Sequence, residues 1–466
     1  MIFSDDGITI TPVMLLKRYT GNKLFSNQAL VRLLVPLLVE QLLVMLVGML
    51  DTVMVSSAGE AAISGVSIVN DVNNLAISVL SALAGGGAVV VSQYLGNGDR
   101  DNSNRSASQL VMIAGVISSA IAVFCLLFHK NILHLLYSSV EEDVMNAAVT
   151  YFFITALSFP FLGIYNAGAA VFRSMNRTKS TMVVSMIMNA INLIGNYIGV
   201  YILHMGVAGV AWPTLISRMV AAVLMTAMAF SRENPLYLEV KEIFAWHRDM
   251  VRKILSIAVP NGTENGLFQL GKILVSAIVA TFGTAQIAAN GVTNSLATLC
   301  YTSEMAVQLA IVTVVGRCVG AGDYKQAEYY VRKMILIAYG LAIANNLMVY
   351  LAVPYALKMY TLTAETTKIV NVILTMECIA IASLHPFAFV LPCALRASGD
   401  AKYTMYIGVA SMFACRVLGA YILGSVMGLG VVGTRIAMYI DWTARIIFFV
   451  IRYRSGRWKN YRIVED

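Results

Sequence analysis

Two carboxylates eleven residues apart in one apolar stretch are the first residues able to do chemistry in this chain. Glu40 and Asp51 both fall within residues 29–55, and eleven residues make about three turns of an α-helix, so the two share one face. An ionisable side chain in hydrocarbon costs at least ~2.5–3.5 kcal/mol and faces a cavity or a partner, which makes each one a functional candidate. A second stretch, 61–94, carries Ser67, Asn70, Asp71, Asn74, Ser78 and Ser81 at helical spacing, and a fifth, 180–203, carries Asn189, Asn192 and Asn196 at i, i+3 and i+7. If these three faces converge, two carboxylates meet several amide oxygens. Hard oxygen donors suit a small cation, and a proton is the alternative, so the expected coupling ion is H⁺ or Na⁺, with no cofactor and no metal beyond Na⁺ at the Asp51 cluster. The competing role for the asparagines is to tie helices together by hydrogen bonds, and for Asp71 to serve as a local charge partner.

The second half of the chain holds a different set: Lys272, Glu304, Glu377, His385 and Arg416, all in apolar stretches. Glu304 and Glu377 either attract a cationic substrate or pair with Lys272 and Arg416. His385 either titrates or satisfies a neighbouring helix. Pro386 and Pro392 remove two backbone donors and predict a bend in the stretch that carries them.

The elements that must position these residues follow from composition. The 466 residues are 58% hydrophobic and 12% charged, with a mean hydropathy of +0.74. A water-soluble enzyme is nearer a quarter charged and is excluded. At ~20 residues per crossing, twelve spans fit, near 29–55, 61–94, 107–128, 145–172, 180–203, 207–230, 253–280, 285–316, 334–353, 369–395, 403–426 and 430–451. The predicted organisation is a segment 1–28, a first lobe 29–230, a polar linker 231–252, a second lobe 253–451 and a basic tail 452–466. Of the 33 Lys and Arg, 24 fall in one alternate set of loops and 3 in the other, which predicts a multi-pass protein of the cytoplasmic (inner) membrane with both termini cytoplasmic. The net charge of +8 is therefore topological, nucleic acid need not be invoked, and the tail is read as solvated anchoring, with lipid contact as the alternative. Six cysteines without C-x-x-C spacing support neither a disulfide framework nor a zinc site, and no cleavable signal peptide is read at the start. No H-E-x-x-H, G-x-S-x-G or ATP-binding motif occurs, so the expectation is not an enzyme.

A shift of 224 positions superimposes the two halves. Pro36 and Glu40 fall on Pro260 and Glu264, Gly59 on Gly283, and YLGNGD on CVGAGD; with a one-residue gap FRSMNRTKSTM meets LRASGDAKYTM. Six spans per copy, an even number, give the copies one orientation and a pseudo-two-fold axis along the membrane normal, an all-α architecture in which transporters place the substrate between halves. The copies are chemically unequal. Asp51 corresponds to Val275, Asp71 to Ser295, and the asparagine face to Met412, Cys415 and Gly419, so ion coupling is expected in the first lobe.

The spacing P-x₃-E, the DTVMVS that ends the first span, the (L/V)G-x-GD loops and the paired (F/L)R-x₅-K-x-x-M loops together resemble the multidrug and toxic compound extrusion (MATE) family over about residues 25–455. The resemblance implies a two-lobed secondary antiporter that exports amphipathic organic cations, a functional monomer in the bilayer. Within it Asp51 matches the first-helix aspartate, and Asn192 and Asn196 the paired asparagines of the fifth helix. The sequence departs from the pattern at Phe268, where better-studied branches have a glutamate, so Glu264 is read as a gate residue equivalent to Glu40. The alternative is a flippase of lipid-linked oligosaccharide or peptidoglycan precursors, which shares the broader architecture.

Overall fold

The computed structural model describes residues 23–57, 59–137, 140–358 and 362–464, so most of the expected segment 1–28 lies outside the described residues. The chain is all-helical: α1 (Asn27–Ser56), α2 (Glu60–Asn97), α3 (Arg100–Leu136), α4 (Glu142–Leu157), α5 (Phe159–Ser174), α6 (Thr178–Tyr197), α7 (Ala208–Ala229), α8 (Val240–Phe244), α9 (Arg248–Val279), α10 (Thr284–Gly320), α11 (Tyr324–Lys358), α12 (Ala364–His385), α13 (Leu391–Ala397), α14 (Ala401–Ser411) and α15 (Gly430–Arg454). π-Helical segments at Ile198–Ile202, Pro386–Val390, Met412–Val417 and Ala420–Val426 extend α6, join α12 to α13 and extend α14. Each of the twelve expected spans is occupied by one helix or one such broken helix.

Ten of these helices are long and apolar enough to cross a bilayer, and α4 with α5, bent by 45°, makes an eleventh. The twelfth, α15, contains Arg435, Asp441 and Arg445, all buried. Its charges are hidden within protein, which is how a polar helix is tolerated at membrane depth. The α4–α5 bend was not expected from the sequence, which reads 145–172 as one span. Pro160, which cannot donate to the carbonyl four residues back, is the second residue of α5, two residues after the break at Ser158.

Backbone geometry repeats with the sequence. Gly59 and Gly283 have φ of 108° and 93°, Gly98 and Gly322 77° and 71°, and Gly206 and Gly430 both 57°. Each pair is 224 positions apart, and each needs the left-handed region that glycine enters without penalty.

The chain forms two compact units, Val31–Gly266 and the described parts of Met1–Leu30 with Leu267–Asp466. In the first, α2 packs on α3, α4 and α5, and α7 on α5 and α6. The contact of α6 with α7 is close, because Gly199 and Gly209 face each other backbone to backbone and Gly195 faces Pro213. A Cβ on Gly209 would meet the Gly199 carbonyl carbon at 2.6 Å. Gly209→Val is therefore expected to cost about 1–3 kcal/mol and to lower the melting temperature of the purified protein; an unchanged melting temperature would show that the helices can separate freely.

The linker belongs to this unit. Its backbone is bracketed to α3: Asn104 Oδ1 accepts from Tyr237 N (3.1 Å), Ser108 Oγ from Glu239 N (3.2 Å), and Gln109 donates to the carbonyls of Glu242 (2.6 Å) and Ala245 (2.5 Å). In the second unit, residues after α15 fold back in the same manner. Trp458 is buried, Lys459 pairs with Glu328 on α11 at 2.7 Å, and Arg462 donates to the Gly320 carbonyl at 2.8 Å. Arg452 pairs with the buried Asp400 at 2.7 Å. The tail is thus packed onto its unit at these residues, contrary to the solvated anchor expected from its charge. The second unit's core gathers Leu296, Cys300, Leu374, Ile381, Met438 and Trp442 between α10, α12 and α15.

Candidate functional site

In the first unit α1 and α6 meet at two levels. Near the start of α1, the buried Glu40 accepts from the Thr181 hydroxyl (3.0 Å) and lies 3.9 Å from Arg173. Eleven residues later on both helices Asp51 faces Asn192, and one turn beyond Asn192 the Asn196 Nδ2 donates to Asp51 Oδ1 at 2.7 Å. In the amide orientation that satisfies both ends of Asn192, its Nδ2 donates to the two Asp51 oxygens at 3.0 and 3.2 Å and its Oδ1 accepts from the Thr214 hydroxyl at 3.1 Å. The constant offset follows from two helices running parallel in register. It also separates the carboxylates by about 16 Å along the axis. The expected single cluster of two acids is therefore corrected to two sites, one acid in each.

The third wall of the Asp51 site is α7. Thr214 and Arg218 lie one turn apart on one face, and Arg218 donates to Ser158 Oγ at 2.7 Å, the residue at the α4–α5 bend. Its guanidinium acts electrostatically on Asp51 and on the buried Tyr151, without an ion pair within 4 Å. The bend thus positions a serine that holds an arginine whose charge acts on the acid. Arg218 is one of the six of 33 Lys and Arg that fall in neither set of loops, and its place in the apolar stretch 207–230 is the signal that could have found it.

Other expected members are not brought to this site. Asn189 is half-buried and donates to Ser185 on its own helix at 3.5 Å. Asn70, Asp71 and Asn74 are exposed, and Asp71 accepts from the Tyr137 hydroxyl at 3.4 Å. The α2 side chain that enters the core is Asn73, donating to Thr155 at 3.3 Å. Helical spacing revealed a polar stripe on α2 but not which edge of it turns inward.

Within the second unit every acid inside the bundle has its own partner. Glu304, fully buried, pairs with His385 Nδ1 at 2.7 Å, and that imidazole stacks between Tyr301 and Phe389, with centroids at 5.5 and 4.2 Å. Glu377 lies 3.6 Å from Arg435 and accepts from the Tyr439 hydroxyl at 3.1 Å; Arg435 also donates to Asn290 and Asn294, both at 2.7 Å. Asp441 pairs with Arg445 at 2.9 Å. Pairing was one of two expected fates for Glu304 and Glu377, but the partners differ from Lys272 and Arg416. Lys272 is exposed, and Arg416 lies over the Phe268 ring at 5.5 Å. Glu264 is buried, four residues after Pro260 in α9. Arg435, Asp441 and Arg445 were missed because they share one helix whose polarity hid its role. The predicted bend after His385 is a π-helical turn, and π-turns also follow Asn196 and contain Arg416. Such turns are frequent at functional sites.

Two six-helix repeats with acids and bases concealed in their bundles define an integral membrane transporter of the duplicated-bundle class. The MatE family model matches residues 36–198 and again 260–422, so the copies are displaced by the same 224 positions, and the chain belongs to the MatE family. It is 26% identical over 427 residues, 91% of this chain and 93% of the other, to the uncharacterised transporter YisQ of Bacillus subtilis. It is 23% identical over 459 residues, 94% of each chain, to the probable multidrug resistance protein NorM of Thermotoga maritima. Among solved structures, it is similar to a MOP superfamily transporter from Pyrococcus furiosus (TM-score 0.87, 18% identity, 93% of this chain and 96% of that one). It is also similar to an outward-facing multidrug resistance MATE transporter (TM-score 0.86, 18% identity, 92% and 96%).

Proposed function

We propose that this MATE-family transporter is a proton-driven antiporter of the cytoplasmic membrane, acting as a monomer with both termini inside, which exports amphipathic organic compounds by alternating access. The observation that carries the reading is the Asp51 site. Two amide nitrogens are aimed at its carboxylate, and a guanidinium acts on it from α7. Sodium would need oxygens turned toward it and would sit beside a fixed cation. A proton needs neither. In the proposed cycle Asp51 loads H⁺ from outside, the amides release the neutral carboxyl, α1 and α6 repack at the π-turn after Asn196, and substrate leaves outward. Coupling requires proton and substrate to favour different states.

The cationic preference expected from the sequence has less support than the antiport itself, because Glu304 and Glu377 are engaged by His385 and Arg435. The flippase reading is not favoured either, since Arg435 and Arg445 are likewise taken up by internal pairs. Proteoliposomes loaded with ethidium or 6-carboxyfluorescein and given separate pH and sodium gradients test the proposal. Efflux should follow the pH gradient at any sodium concentration. Efflux driven by sodium alone, or by neither gradient, overturns it.

A further inference from the structure

Once the three acids inside the helix bundle of the second unit are matched to their partners, the guanidinium of Arg416 is left without one among the described residues. Asp441 is held by Arg445, Glu377 by Arg435 and Tyr439, and Glu304 by His385. Arg416 has no hydrogen bond and no ion pair among the described residues. It is half-buried at membrane depth in the π-turn Met412–Val417. The charges that act on it are Asp441 and Glu377, which attract it, and Arg435 and Arg445, which repel it, and both acids already carry a closer arginine. None of its nitrogens is sealed off by protein, so its donors stand open to an acceptor that something else supplies.

The surroundings say what that would be. The Phe268 ring of α9 is half-buried and lies under two guanidinium groups, Arg416 at 5.5 Å and Arg445 at 5.3 Å. One turn further along α9 the exposed Lys272 adds a third positive charge on the same face. A planar fork of donors over an aromatic ring fits a carboxylate or sulfonate attached to a flat ring system, because the fork takes both oxygens and the phenyl takes the ring.

We propose that Arg416 with Phe268 forms an anion-recognising part of the substrate site, and that the chain carries aromatic organic acids. This builds on the transporter reading above but not on which ion drives transport. Binding at equilibrium needs no gradient, so intact anion binding without proton-driven efflux would sink the coupling reading alone.

The test uses the purified full-length protein in detergent, titrated against 6-carboxyfluorescein and rhodamine 6G, xanthene dyes of opposite charge, with polarisation corrected for protein-free micelles. Wild-type protein should bind the anion at least about tenfold more tightly than the cation. Arg416→Gln should weaken anion binding by at least about tenfold, the scale of one lost charged hydrogen bond, and change rhodamine 6G binding by less than about threefold. Arg416→Lys, which keeps the charge, should retain more of the affinity than the glutamine variant. Equal wild-type affinity for the two dyes, or carboxyfluorescein binding unaltered in Arg416→Gln, overturns the proposal. The wild-type comparison stands even if neither variant folds.

Discussion

Asp51→Asn is expected to abolish efflux driven by a pH gradient, lowering the initial rate at least about a hundredfold in proteoliposomes while the protein remains monodisperse. Asparagine matches the shape of the acid but cannot carry a proton at transport pH, so the proton no longer distinguishes the two states and cannot bias them. Coupling energies of ~1–3 kcal/mol correspond to ~5–150-fold effects, and an essential coupling group belongs at the upper end. The fold should tolerate the change, because Asp51 is half-buried and Arg218 keeps its own hydrogen bond to Ser158. Asn196→Ala removes one donor at 2.7 Å and should slow transport without stopping it, since Asn192 still reaches the carboxylate. If Asp51→Asn exports dye against its gradient at the wild-type rate, this carboxylate is not the coupling group.

Arg435→Met is expected to produce the largest loss of stability in the second unit. Arg435 is 6% exposed and Glu377 3%, so removing the cation leaves a carboxylate with only the Tyr439 hydroxyl and strands the side-chain oxygens of Asn290 and Asn294. Breaking a buried pair from one side costs about 3–5 kcal/mol, which for a unit of about 200 residues is a fall of about 10 °C in melting temperature. Arg435→Met combined with Glu377→Gln should recover at least half of that loss, because the uncompensated charge is gone. Thermal unfolding of the purified single and double variants decides the matter. A single variant that melts within about 2 °C of wild type, or a double variant no more stable than the single, would mean that the pair is not electrostatically isolated.

The two acids of α1 show how far one-dimensional reasoning reaches. Their spacing placed both on one face of the helix, and in the structure that face meets α6 at both acids. It could not show that Glu40 has Arg173 and Thr181 beside it while Asp51 has amides, because the partners come from α5 and α6, more than a hundred residues away. The asparagines of α6 divide for the same reason. Asn192 and Asn196 turn toward α1, and Asn189, almost two turns before Asn196, bonds its own helix. On α2 the stripe was visible and its inward edge was not, since a broad polar arc contains both exposed and buried positions. Arg218 needed the bend at Ser158, a feature whose only trace in the chain is Pro160.

The amino-acid sequence by itself determined the number and extent of the spans, the duplication and the turns between helices. Hydrophobic length and glycine placement are local properties, and no other part of the chain must be known to read them. Only the tertiary structure decided which ionisable groups neutralise one another and which, like Arg416, are left with none, because a charge inside a bundle is stabilised by whatever lies within a few ångströms and that neighbour is set by helix packing.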